Sequence, residues 1–320
     1  MPIDAEPTMM PLRVADIRDA AAGIRLFELR HPAGEALPAF TAGAHVSIRV
    51  PNGAVRKYSL CNDPDERGRY LIAALREPGG RGGSISLCDE TTVGDEIPVS
   101  EPHNDFALRK SAGGYLFIAG GIGITPIMSM MRFLKRTGGR FRLCYCTRSP
   151  EATAFRDELL GAEFRGQVNI HHDGGDPARF LDLWPLLERP KGEQIYCCGP
   201  RPMMQAVRDM TGHWSASAVH FEAFAEPTAR AATDRPFRVR LAQSGAVIDV
   251  PVGTTILEAL RASGHDAPSS CESGTCGTCR TRLMAGEADH RDLVLAEHEH
   301  AAFIMLCVSR ARSDELVIDR

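Results

Sequence analysis

Cys271-Glu272-Ser273-Gly274-Thr275-Cys276-Gly277-Thr278-Cys279, with Cys307 further on, is the most informative stretch of this chain. The spacing is C-x4-C-x2-C…C. A tight loop can bring three of these thiolates to a small volume from one side, and a distant strand brings the fourth. Gly274 and Gly277 suit such a loop, because glycine reaches backbone conformations that other residues resist. Small Ser and Thr residues fill the remaining gaps and leave backbone N–H groups free to point at sulfur. The spacing matches the ligand pattern of a [2Fe–2S] cluster, whose reduction potential such hydrogen bonds help to set. A structural zinc site usually shows paired C-x2-C knuckles, not one triplet and a remote cysteine. Zinc and a chance cluster of cysteines are therefore the weaker readings. A one-electron carrier needs a source of electrons, which the rest of the chain should supply.

The 320 residues predict two or three domains. The net charge of −4 comes with no basic stripe, so nucleic-acid binding has no electrostatic support. No apolar run approaches the roughly 18 residues of a membrane helix. The start, Met1-Pro2-Ile3-Asp4-Ala5-Glu6, carries acid where a signal peptide carries base and hydrophobe. Cysteines 61, 88, 144, 146, 197 and 198 lie mostly as adjacent or alternating pairs in apolar strands. They make a poor disulfide framework, and reduced thiols in a cytoplasm are expected.

Residues 1–110 read as all-β. Ile24 to Leu29 and Val46 to Val50 alternate apolar and polar, and Tyr70 to Leu75 reads as a buried strand. Many short strands with turn signals predict a barrel. Gly79-Gly80-Arg81-Gly82-Gly83-Ser84 opens a short helix, Ile85 to Asp89, and offers free N–H groups and a positive dipole end to an anion. A flexible surface turn is an equal alternative for this run alone. Arg56-x-Tyr58-Ser59 reads either as an ordinary strand edge or as a flavin contact. In the second reading Tyr58 lies flat on an isoalloxazine ring, Ser59 hydrogen-bonds near its reactive nitrogen, and Arg56 faces the phosphate.

After residue 110 the pattern changes. Tyr115 to Ala119 is a continuous apolar run, as in a central parallel strand. Gly120-Gly121-Ile122-Gly123-Ile124-Thr125-Pro126 and a helix to Leu134 follow, which is the context that gives a glycine turn meaning. Pro126 takes the place of the third glycine of G-x-G-x-x-G, so a related phosphate-binding turn is favoured over a plain dehydrogenase. Strands at 141–146, 168–171 and 195–198, a helix at 152–160, the turn Cys198-Gly199-Pro200, a helix at 203–210 and a last strand at 221–224 predict a doubly wound α/β domain. His171-His172-Asp173 and Glu297 to His300 lack a metal-ligand spacing. Met128, Met130 and Met131 read as core filling. Residues 227–236 read as a linker. The remainder, 237–320, carries strands at 237–241, 247–250, 280–284, 304–308 and 316–318 around a helix at 256–262 capped by Thr254, a small mixed sheet gripping one helix.

RKYSL at 56–60, GGRGGS at 79–84, GGIGITP at 120–126, CCGP at 197–200, HFEAF at 220–224 and CESGTCGTC at 271–279 occur in this order across essentially the whole chain. Together they resemble the phthalate dioxygenase reductases, one-chain reductases that feed Rieske-type oxygenases. The resemblance implies three parts: an antiparallel β-barrel that binds FMN (1–110), an α/β doubly wound NAD-binding domain (111–226), and, after the linker, an α+β β-grasp domain of the plant-type ferredoxin kind (237–320). FMN is expected over FAD, because the chain between the phosphate turn and Pro98 is short and has no aromatic to hold an adenine. The implied FMN contacts are Arg56, Lys57, Tyr58 and Ser59, then Ile72, Ala73 and Ala74, then Arg81, Gly82, Gly83 and Ser84, with Thr125 nearby and Phe224 on the ring face that nicotinamide must enter. Gly121, Gly123, Pro126, Arg148, Cys198, Gly199 and Pro200 are implied for NAD, with Ser59 and Cys198 nearest the chemistry. Arg148 could reach a 2′-phosphate, but Glu151 nearby speaks for NADH. Cys271, Cys276, Cys279 and Cys307 hold the cluster.

By electron counting, NADH gives two electrons as one hydride, the cluster takes one, and FMN joins the two. The implied partner is a Rieske-type oxygenase acting on an aromatic carboxylate such as a phthalate, reached from a monomeric reductase through acids at 287, 289, 292, 297 and 299. A reductase of a demethylating oxygenase or other monooxygenase, and a redox-sensing iron–sulfur protein, are the alternatives.

Overall fold

The computed structural model describes residues 8–224 and 234–320. The expected linker at 227–236 falls mostly outside these. It divides into two compact units between His220 and Phe221.

The first unit begins with six strands: β1 (Met9–Ala21), β2 (Ile24–Arg30), β3 (His45–Arg49), β4 (Val55–Ser59), β5 (Tyr70–Leu75) and β6 (Glu96–Ser100). Their order, β4-β3-β6-β1-β2-β5, is antiparallel throughout. The two edges meet where Leu60, just past β4, bridges Ile72 of β5, which closes the sheet into a barrel. Alternation explains the filling: Leu12, Val14, Phe27, Leu29, Val46, Ile48, Ile72 and Val99 point inward and are fully or almost fully buried. Helix α1 (Gly83–Glu90) joins β5 to β6.

Next come β7 (Tyr115–Gly120), α2 (Ile124–Thr137), β8 (Phe141–Thr147), α3 (Arg156–Leu160), β9 (Val168–His172), α4 (Trp184–Leu187), β10 (Gln194–Cys198), α5 (Arg201–Met210) and β11 (Val219–Glu222). The sheet order is β11-β10-β7-β8-β9, with β10, β7, β8 and β9 parallel. The chain moves outward from β7 to β9 and then returns to the other side of β7. The topological switch point is therefore between β7 and β10. The barrel and this sheet do not have separate cores. Ile24, Leu26, Leu71 and Ala73 pack with Met128, Met130, Met131 and Phe117 in one cluster, which confirms the methionines as core.

The second unit contains β12 (Phe237–Leu241), β13 (Val247–Val250), α6 (Ile256–Ala262), β14 (Arg280–Ala285), β15 (Ala288–Asp289), β16 (Phe303–Met305), β17 (Arg310–Ala311) and β18 (Glu315–Ile318). Its mixed sheet, β13-β12-β18-β14-β16, has β12 and β18 parallel and the other pairs antiparallel. Helix α6 buries Ile256, Leu257 and Leu260 against it. This is the expected grasp of a sheet around a helix.

Several local expectations are corrected. The helix expected at 152–160 forms only from Arg156, because Thr153 turns its hydroxyl to the Ser149 carbonyl and to Thr147, and Phe155 takes a φ of 58°. The strand expected at 221–224 ends at Glu222, leaving Phe224 beyond it. The cap of α6 is Thr255, not Thr254: its hydroxyl accepts the Glu258 N–H while the Glu258 carboxylate accepts the Thr255 N–H. Asp234, expected in the linker, is buried beside Arg291 at 2.6 Å and Arg310 at 3.7 Å, since a carboxylate leaves water only with cations to meet it.

Candidate functional site

The cluster loop runs from the residues after α6 to the start of β14. Gly274 has a φ of 77°, and a Cβ there would stand 2.9 Å from a Val308 methyl and 3.2 Å from Asp292 Cα. The loop thus lies directly on the segment that brings Cys307. That cysteine sits in the turn after β16, not on a strand as expected. The four thiols form two pairs. Cys279 and Cys307 are buried with their sulfurs 3.2 Å apart. Cys271 and Cys276 are half-buried, and the Cys271 N–H reaches the Cys276 sulfur at 3.5 Å. The Ser273 N–H donates to the Cys271 sulfur at 3.4 Å. Hydrogen bonding within each pair holds the Cys271 and Cys279 thiols below their ordinary range. The four thiols at this spacing fit the ligand set of a [2Fe–2S] cluster.

The barrel forms a second cradle. Along β4, Arg56 and Tyr58 are half-buried, Lys57 is exposed and Ser59 is 3% exposed. The Ser59 hydroxyl is buried with no hydrogen-bond partner among the described residues. An unpartnered buried hydroxyl costs free energy and leaves Ser59 with a donor to spare. Burial also pushes the Tyr58 phenol up. The Arg56 side chain lies across the glycine turn: a Cβ on Gly83 would stand 2.6 Å from Arg56 Nε. The two motifs separated in sequence are therefore one cradle, with Gly82 in the left-handed region as N-cap of α1. The Ser84 hydroxyl accepts the Glu77 N–H at 3.1 Å, and Arg81 is exposed. Of the β5 residues, Ile72 and Ala74 point into the barrel and Ala73 faces the shared core. All three are buried, so what they offer a bound ring is backbone and not side chain.

The third element is the switch point. A Cβ on Gly123 would stand 2.2 Å from the Cys198 carbonyl oxygen, and one on Gly199 would stand 2.8 Å from the Gly120 N. The two turns are pressed together at the carboxyl edge of β7 and β10, where only glycine allows the approach. Gly121 takes a φ of 52°, and its carbonyl accepts the Tyr145 hydroxyl at 3.0 Å. Thr125 is buried and donates its hydroxyl to the Ile122 carbonyl, and Pro126 lies in the first turn of α2. Pro200 leads into α5. Cys198 is fully buried, whereas Arg148, at the end of β8, is exposed. Phe224 is 42% exposed beyond β11.

A family model described as the 2Fe-2S iron-sulfur cluster binding domain matches residues 239–312. The chain is 57% identical over 310 residues to the phthalate 4,5-dioxygenase oxygenase reductase subunit of Pseudomonas putida, covering 96% of each. It is 52% identical over 316 residues to the phthalate dioxygenase reductase of Burkholderia cepacia, covering 98% of each. A solved phthalate dioxygenase reductase, described as a modular structure for electron transfer from pyridine nucleotides to [2Fe–2S], superposes with a TM-score of 0.73 over 98% of each chain. The chain belongs to the phthalate dioxygenase reductase family.

As a member of this family, the protein is an electron-transfer oxidoreductase. It carries electrons from a pyridine nucleotide through flavin to a [2Fe–2S] cluster and on to an oxygenase, and FMN and NADH are the family's cofactors. The redox-sensor alternative is thereby set aside. Among the described residues no helix is long and apolar enough to cross a membrane.

Of the five acids anticipated as a docking face, Glu287 and Glu297 are exposed, whereas the other three are engaged within the fold. Asp292 is buried and accepts the N–H groups of Val294 and Leu295, Asp289 lies 2.6 Å from Arg291, and Glu299 lies 2.8 Å from Arg280. Asp289, Asp292 and Glu299 thus serve the fold, each neutralised or hydrogen-bonded within its own unit. Sequence reading also missed Arg132, which holds the barrel to the α/β sheet. It donates to the Cys61 carbonyl at 2.6 Å and to both Glu158 oxygens. A single arginine on a helix carries no local signal of such a role.

Proposed function

We propose that this chain is the NADH-oxidising reductase of a Rieske-type oxygenase acting on an aromatic carboxylate such as a phthalate, working as a cytoplasmic monomer. Support for the partner is that the two relatives named above are reductases of phthalate oxygenases. The observation that carries the site assignment is the Ser59 hydroxyl, buried and without a partner beside Tyr58.

FMN, which accepts an electron pair and releases electrons singly, supplies the step between a hydride donor and a one-electron cluster. The residues around it have separate tasks. Tyr58 offers its aromatic face to the ring, and Ser59 donates its hydroxyl to a ring nitrogen. Backbone at Ile72, Ala73 and Ala74 borders the ring. Arg56 neutralises the phosphate, with Lys57 and Arg81 adding positive charge at the rim, while the N–H groups at Gly82, Gly83 and Ser84 bind its oxygens at the start of α1. Thr125 closes the flavin side of the second turn. Gly121, Gly123, Pro126, Gly199 and Pro200 would let the backbone approach the nucleotide, Arg148 would receive its adenosine end, and Cys198 would be the thiol nearest the nicotinamide. Cys271, Cys276, Cys279 and Cys307 hold the cluster.

The test is an anaerobic NADH titration of the full chain, followed by visible absorbance and by EPR of frozen samples. Flavin bleaching with a rhombic [2Fe–2S] signal is expected, and addition of a phthalate oxygenase should discharge both. Bleaching with no cluster signal would refute the C-terminal assignment. Full internal reduction with no transfer to the oxygenase would refute the partner.

A further inference from the structure

Glu272 lies between the ligand Cys271 and Ser273 with a φ of 55°, and Phe155 is the only other non-glycine residue with positive φ among the described residues. Left-handed backbone is strained for a residue with a Cβ. Glycine already takes the left-handed positions at Gly274 and Gly277 in the same loop. A glutamate at 272 therefore calls for a use of its carboxylate.

The structure supplies that use. Glu272 Oε1 accepts from Arg261 Nη1 at 2.9 Å and from the Ser269 hydroxyl at 2.9 Å, and Arg261 Nη2 also donates to Ser269 Oγ. Arg261 sits in the last turn of α6, where a cation also meets the negative end of the helix dipole. The helix is a firm base, because its other end carries the Thr255–Glu258 capping box and its inner face is buried in the core. On the far side of the left-handed turn, the Ser273 N–H points at the Cys271 sulfur at 3.4 Å.

We propose that Arg261, Ser269 and Glu272 form a brace that positions the cluster loop. The brace holds residue 272 left-handed and so aims the Ser273 N–H at the Cys271 sulfur. Arg261 is a positioning residue: it acts on a ligand's hydrogen bond from outside the cluster. Hydrogen bonds to ligand sulfur tune both metal retention and potential. The proposal rests on the cluster reading and adds to it the residues that govern the loop.

The experiment uses the full-length holoprotein and four variants: Arg261→Ala, Glu272→Gly, the double variant, and Arg261→Lys. Each is read for the rate of iron release to a chelator, for the cluster's potential by EPR-monitored titration, and for its visible circular dichroism. In Arg261→Ala iron release should rise roughly tenfold, the typical cost of removing an outer-shell partner, with a shifted potential and an altered dichroism band. Glu272→Gly removes the strain together with the brace, so its iron release should stay within about twofold of wild type, because glycine holds the turn unaided. Adding Arg261→Ala to Glu272→Gly should then change nothing more. Arg261→Lys should restore part of the loss. The brace is overturned if Arg261→Ala leaves iron release and potential at wild-type values. It is equally overturned if Arg261→Ala costs as much in the glycine background as alone. A wild-type protein that assembles no iron and sulfide would overturn the cluster reading itself, which separates the two failures.

Discussion

The cluster loop and the barrel cradle are built on opposite plans. Three of the four thiols lie within nine consecutive residues, and two glycines with positive φ set the path between them. The barrel cradle is scattered: Arg56 to Ser59 on β4, Ile72 to Ala74 on β5 and Gly82 to Ser84 at α1 become neighbours only when the barrel closes. A loop encoded by spacing fails when a ligand is lost. A cradle encoded by pairing fails when the close approaches that assemble it are blocked.

The largest effect is at the loop. Cys279→Ser should abolish the [2Fe–2S] EPR signal while leaving flavin reduction by NADH intact, since Cys279 is buried within the second unit and the flavin cradle belongs to the first. Loss of flavin reduction as well would show that the two plans are not separable.

Gly123→Ala comes next. A methyl group there meets a backbone carbonyl at 2.2 Å, and backbone cannot rotate away, so a loss of about 3 kcal/mol or more is expected by denaturant melt. Gly121→Ala is the control: it has nothing within 4 Å and only its positive φ to resist, so about 1 kcal/mol is expected. Equal losses would mean that conformation and not close approach governs the switch point.

Ser59→Ala should cost roughly tenfold in the stopped-flow rate of flavin reduction, the worth of one hydrogen bond, with little change in melting temperature because the hydroxyl has no protein partner to lose. A stability loss without a rate loss would turn this residue back into a strand position.

The smallest effect is a pH dependence at His220, within the HFEAF motif. It stacks on Tyr196 with centroids 4.5 Å apart and hydrogen-bonds Gln194 through Nε2 at 2.7 Å. Burial lowers its pKa from 6.5 to about 4. The unfolded chain therefore binds the extra proton between these values, and this contribution to stability is complete above about pH 6.5 and lost as pH falls toward 4. Thermal melts across that window should show a steeper fall for wild type than for His220→Gln.

Most features that depend on a few neighbouring residues were legible, the Thr255–Glu258 cap of α6 being an exception. The cluster ligands, the strand–glycine–helix order at 115–134, the alternation of the barrel strands and the position of α6 all follow from local spacing and periodicity. The misses have two causes. Asp292 and Asp289 read as surface acids although their partners, the Val294 and Leu295 N–H groups and Arg291, lie within three residues, because a run of charges does not reveal which way its backbone turns. The α3 boundary shifted because Thr153 found a hydroxyl partner in Thr147, on the preceding strand. Asp234 read as linker because Arg291 and Arg310 lie far along the chain.

By itself the sequence determined the chemistry available: four thiols at cluster spacing, two glycine turns ahead of helices, and a strand ending in Tyr58 and Ser59. These are statements about backbone freedom and side-chain type over short spans, which spacing encodes directly. Only the tertiary structure decided which of these parts meet. It laid Arg56 over Gly83, pressed Gly123 against Cys198, left the Ser59 hydroxyl buried without a partner, and tied Glu272 to Arg261. Such meetings follow from strand register and from the burial of apolar faces, which are settled by the whole chain at once and leave no mark in any one segment.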